Sequence, residues 1–195
     1  MKRFILGIAM MTLLTLQVEA QAQTGSSIVI VDPTIPSLDL LIKQVHPASK
    51  VVYLNKTKNP LHSILSILKA NAPISALHIL SEGTSGALLL SGTSVTTETL
   101  DEQAEILGNW KDHFTLHGDI LLYGCDVGKG EAGIRFVKSM AVLTGLDIAA
   151  SDNPTGSWRK GGDWYLEIKS GRIETRLVVS QQVIESYPVV LGPLK

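Results

Sequence analysis

The sequence predicts an α/β fold, a mostly parallel sheet with helices on both faces. Three observations point there. Short β-branched apolar runs alternate with stretches of helical periodicity, the layout of βαβ units. The apolar runs are nearly continuous rather than alternating, as in strands buried on both faces. The runs stop at Asp, Glu, Asn, Ser or Gly, the residues of loops and helix caps.

Taken in order, Ser26 to Val31 is the first strand and ends at Asp32-Pro33. Leu38, Leu41, Ile42 and Val45 recur at helical spacing behind Ser37, and His46-Pro47 closes that helix. Lys50 to Leu54 is the second strand. Asn59-Pro60 opens a helix with Leu61, Ile64, Leu65 and Leu68 on one face. Ala76 to Ser81 is the third strand, ending at Glu82-Gly83, and Gly86 to Ser91 reads as a short hairpin strand. Ser94 to Thr97 caps a helix expected over Glu98 to Trp110.

Asp119 to Tyr123 is the fourth strand. After Gly124-Cys125 comes a helix expected to bury Ile134, Val137 and Ala141, and Leu146 to Ala150 is the fifth strand. The chain then changes character. Trp164 to Ile168 and Thr175 to Val179 read as an antiparallel pair turning at Ser170-Gly171, with a polar helix over Gln181 to Ser186.

The length of 195 residues favours one domain, placed at 23–195. Residues 1–22 read as a secretory leader. Lys2 and Arg3 precede an apolar run from Phe4 to Leu16, and small residues allow cleavage after Ala20 or Ala22. The run is short for a membrane span, so a secreted or periplasmic protein without a span after leader removal is expected. A net charge of −1 gives no reason to expect nucleic acid as a partner, and a protein or peptide partner is expected instead. The single cysteine, Cys125, has no internal disulfide partner.

In parallel α/β sheets ligands bind beyond the carboxyl ends of the strands. That rule selects Asp32, Glu82-Gly83, Cys125-Asp126 and Asp152. Cys125 is a candidate nucleophile because free N–H groups at a helix N-terminus favour a thiolate. Gly83 and Gly124 are candidate backbone donors for an oxyanion, and Gly124, Gly128 and Gly130 leave room for close backbone approach by a substrate. Asp32, Asp126 and Asp152 form a candidate acidic pocket, or serve as loop caps. No cofactor or metal motif with fixed spacing is present, although loop oxygens of this kind suit Ca²⁺.

The stretches LHILSEGTSGALLL, GDILLYGCDVGKGEAG and TGLDIAASDNPTG followed by GGDWYLE carry a resemblance. As a set they resemble the bacterial domain-of-unknown-function 4347 family. That family is similar to the caspase, gingipain and legumain superfamily of cysteine peptidases. The resemblance implies a three-layer α/β/α sandwich with parallel strands in the order 2-1-3-4-5 and a C-terminal antiparallel addition. It also implies a His-Gly at the end of one strand and a cysteine at the end of the next. Here those ends are Glu82-Gly83 and Gly124-Cys125, so the position of the catalytic histidine holds a carboxylate. A carboxylate beside Cys125 raises the thiol pKa where an imidazolium lowers it. His78, on the strand of Glu82, is displaced from it by about 13 Å, and His46, His62, His113 and His117 belong to other elements. The resulting expectation is a secreted, catalytically degenerate caspase-like domain acting as a binding or accessory module. The alternative is a cysteine endopeptidase that pairs Cys125 with a non-standard base.

Overall fold

The computed structural model describes residues 25–191. The leader expected at 1–22 lies outside the described residues. Strand β1 (Ser26–Val31) is followed by a short helix α1 (Leu38–Ile42), strand β2 (Ser49–Tyr53), helix α2 (Pro60–Asn71) and strand β3 (Ile74–Leu80). Three short strands come next: β4 (Glu82–Thr84), β5 (Ala87–Leu90) and β6 (Thr93–Thr96). Helices α3 (Thr97–Glu102) and α4 (Ala104–Gly108) lead to the long strand β7 (Phe114–Tyr123). Helix α5 (Gly130–Thr144), strands β8 (Asp147–Ala150) and β9 (Ile168–Lys169), and helix α6 (Gln181–Ser186) complete the described chain.

The main sheet runs β2-β1-β3-β7-β8-β9. All of its pairs are parallel except β8 with β9. A second, antiparallel sheet runs β4-β5-β6. The apolar residues of each strand divide between the two faces, because side chains alternate along a strand. Ile28, Ile30, Leu77, Ile79, Ile120 and Leu122 share a core with α2, α5, Leu100 and Leu107. Val29, Val31, Leu80, Leu121 and Tyr123 share the other core with Leu41, Trp164, Val178, Val183 and Tyr187. One face is thus covered by regular helices. The other is covered by two short helices and extended chain.

Helix α2 follows its sequence signals closely. Asn59 Oδ1 accepts the His62 N–H at 3.1 Å, Pro60 occupies the first turn, and Leu61, Ile64, Leu65 and Leu68 are buried. Other elements depart from expectation. Ser37 sits in the left-handed region and makes no side-chain cap, and α1 ends at Ile42. The helix expected over Glu98 to Trp110 breaks at Gln103 into α3 and α4. Helix α5 buries Phe136, Val137, Met140 and Thr144, while Ile134 is exposed. The expected face containing Ile134 was therefore rotated, since Phe136 and Met140 carry more apolar area to the sheet.

The expected antiparallel pair near the C-terminus does not form. Only Ile168 and Lys169 pair, and they pair with β8. Thr175 to Val179 forms no strand, and four of its ties run to other elements. Asp119 Oδ2 accepts the Thr175 N–H at 2.9 Å and its hydroxyl at 2.6 Å. Tyr123 Oη accepts the Val178 N–H at 3.0 Å, and Val179 bridges to Val45. A β-branched run with its amides held by side chains has no ladder to join, whatever its strand propensity. Among the described residues no helix is long and apolar enough to cross a membrane.

Candidate functional site

Cys125 stands just beyond β7, on the turn that leads towards α5. Helix α5 begins only at Gly130, with Lys129 as its cap, so the thiol is a turn away from the helix N-terminus. The amides between them are already used. Cys125 N–H donates to the Leu191 carbonyl at 3.1 Å and Asp126 N–H to the Asn153 carbonyl at 2.9 Å. Val127 N–H donates to Gly124, Gly128 N–H to Ser151 at 2.7 Å, and Lys129 N–H to Asp126. The run of five donors that makes an anion cradle elsewhere is here spent on main-chain carbonyls.

The thiol is closed in as well. Cys125 is 5% exposed, and its Sγ lies 3.9 Å from the Thr155 carbonyl, a weak sulfur contact. Leu191 accepts from Cys125 and donates to Thr155 at 2.7 Å, so one residue of the C-terminal segment bridges both sides of the cysteine. Burial pushes the thiol up to about 11, and the carboxylates of Asp126 and Glu82 act in the same direction. A thiol in that state is neutral at physiological pH and a poor nucleophile.

Glu82 is not a loop residue at a strand end. It opens β4, where it pairs with Leu89, and it lines a small hollow of about 130 Å³ with Thr84, Leu88 and Ser94. Gly83 and Gly124 have a packing reason for lacking side chains. A Cβ on Gly83 would strike Val127 and the carbonyls of Ala87 and Cys125, and one on Gly124 would meet Val127 at 3.1 Å and Ser81 at 3.3 Å. These glycines let β4 lie on the cysteine turn; the space expected at Gly124 is taken by Val127 and Ser81 and that at Gly128 by Ile168, while Gly130 stays open.

The three acids each have near partners, and Asp126 and Asp152 both act on Lys129. Asp32 is buried, and its two oxygens accept from the Thr34 amide, the Thr34 hydroxyl and the Ser91 amide. It joins the end of β1 to the β5–β6 turn. Asp126 has φ 61° and pairs with Lys129 at 2.8 Å. Asp152 donates its amide to Glu167 at 3.0 Å. Among the described residues no three His, Cys, Asp or Glu side chains are grouped so as to hold a metal ion.

No histidine acts on the thiol. His78 is opposite Leu121 in the β3–β7 register, and Cys125 lies four residues further on, about 13 Å along the strand direction. His78 is 2% exposed, stacks on Tyr123 at 5.9 Å, and burial pulls it down to about 4. His117 lies within β7, and His113 in the short turn before it. The residues that close off Cys125 without any local sequence signal are Thr155, Leu191 and Asn153. They act through backbone carbonyls, which every residue type carries.

The fold and site together define an α/β protein with a mostly parallel sheet and a sealed cysteine at a strand end. The chain belongs to the DUF4347 family (domain of unknown function), whose model matches residues 28–191. No curated protein matches it. Among solved structures, one described as a small-chain dehydrogenase is 12% identical, covers 62% of this chain and 78% of its own, and has a TM-score of 0.37. A short chain dehydrogenase family protein from Francisella tularensis subsp. tularensis SCHU S4 is 9% identical, covers 61% and 60%, and has a TM-score of 0.27. Both scores lie below 0.5, and neither likeness bears on what this chain does.

Proposed function

We propose that this chain is an exported, catalytically degenerate caspase-like domain that serves as a binding or accessory module. One observation carries the reading: every backbone N–H from Cys125 to Lys129 is already bonded to a main-chain carbonyl. Acyl transfer needs free donors where the oxyanion forms and a base within hydrogen-bond reach of the nucleophile. This turn offers neither, and Glu82 adds repulsion to a thiol already held neutral by burial. The strand order β2-β1-β3-β7-β8 supports the three-layer, caspase-like form of the reading. The residue types at 1–22 support export. The peptidase alternative rests on the position of Cys125 alone.

Because the chain has one cysteine, thiol labelling reads this site without ambiguity. Native protein incubated with iodoacetamide at neutral pH should react on the order of a hundredfold more slowly than free cysteine. Labelling should become fast in denaturant and vanish in Cys125→Ala. Fast labelling of the native chain, with a midpoint below that of free cysteine, would overturn the degenerate reading.

A further inference from the structure

A second site lies at the opposite edge of the same sheet. Ser49, Ser27 and Ala76 form one row across β2, β1 and β3, on the face covered by the C-terminal segment. Above them the Thr175–Val179 segment and α6 form a roof. Between floor and roof is a pocket of about 640 Å³, within the range of small-molecule sites. His78 lines it, buried, and its Nδ1 has no hydrogen-bond partner.

The lining has a consistent polarity. It contains Arg176, His46 and hydroxyls, but no carboxylate. Arg176 makes no ion pair among the described residues. Ser49 Oγ donates to Ser27 Oγ at 3.1 Å, so Ser27 keeps its own hydroxyl proton for a ligand. His46 Nδ1 accepts the Ala48 amide at 3.2 Å, which places the proton of the neutral ring on Nε2. A guanidinium and two donors line the same pocket, and Asp119, the acid beside Ala76, is bonded to Thr175 of the roof. The roof adds Leu177, Val179 and Ile184, which are apolar.

We propose that this pocket binds a small organic carboxylate, its anionic group held by Arg176, Ser27 and His46 and its apolar body laid under the roof beside Leu177, Val179 and Ile184. The roof is held ready for it. Asp119, Tyr123 and Val45 fix Thr175, Val178 and Val179 in turn, so the space does not depend on a ligand to open. The assignment is independent of Cys125, which lies at the other edge.

Hexanoate is the probe, with hexanamide as its uncharged match, followed by calorimetry and by NMR of the purified protein. Hexanoate should bind at least about tenfold more tightly than hexanamide, because a charge-assisted bidentate contact is worth roughly that factor or more. Arg176→Gln, at an exposed position, should reduce hexanoate to the affinity of the amide. The His78 ring nitrogens and the Leu177 methyls should shift on binding. Equal affinity for acid and amide, or no shift at either residue at tens of millimolar hexanoate, would overturn the proposal.

Discussion

At the carboxyl edge of the sheet the C-terminal segment lies directly on Cys125, main chain against main chain, through Leu191. Elsewhere the same segment is held to the sheet by side chains, Asp119 accepting from Thr175, and Tyr123, at the end of β7, accepting from Val178. Backbone pairing brings two chains to strand spacing and closes the gap. A side chain interposed as a spacer keeps them apart and leaves a pocket. Around Cys125, where parallel sheets usually bind ligands, the chain is therefore closed, and a larger pocket lies under the Thr175–Val179 roof.

The largest expected effect comes from the residue that links the two ends. Trp164 is 1% exposed and packs between Tyr123 and Tyr187, with ring centroids at 6.3 and 5.4 Å. Trp164→Ala should cost about 3–5 kcal/mol, the transfer and cavity terms of a large buried aromatic, measured by chemical denaturation. Tyr187 precedes Leu191 closely, so the seal should loosen too, and native Cys125 labelling should accelerate. A destabilised variant whose cysteine stays unreactive in the folded state would show that Leu191 holds its place without the aromatic row.

Next comes the acid dependence of the amino edge. Burial depresses His78 from 6.5 to about 4, so the folded state binds its proton less tightly than the unfolded state. The associated stability is fully present above pH 6.5 and is lost as the pH falls towards 4, about 3 kcal/mol in all at 1.36 kcal/mol per unit. His78→Gln should remove this part of the slope of unfolding free energy against pH. An identical slope in both proteins would mean that His78 keeps a normal pKa, and that the pocket floor is wetter than its burial implies.

These contrasts were unequally legible in the sequence. Strands β1 and β3 and helix α2 follow from apolar runs, periodicity and caps that local sequence encodes, as Asn59 and Pro60 do for α2. The turn carrying Cys125 was equally visible, because a small residue between a strand and a helix stands out. Its closure was not. Thr155 and Leu191 act through carbonyl groups that no side chain signals, and they come from distant parts of the chain. Thr175 to Val179 looks like a strand because it is β-branched, but its partners are an Asp and a Tyr selected by tertiary structure. His78 drew attention only as a misplaced base for Cys125. Its place in a pocket depends on what covers the sheet, which strand pattern does not reveal.

The smallest expected effect is also the most pointed. Glu82 occupies the position where the family resemblance calls for histidine, and its charge acts on the Cys125 thiol after burial and after Asp126. If closure holds the thiol neutral, Glu82→Gln removes a minor contribution. The labelling midpoint should fall slightly and remain closer to about 11 than to the ordinary 9.0. Glu82→His should likewise leave the protein without peptide cleavage, because a base restored beside a thiol does not free the amides bonded to Leu191 and Asn153. If Glu82→Gln returned the thiol to its ordinary range, charge rather than closure would govern the site. The two edges would then differ in electrostatics and not in how the chain packs across them.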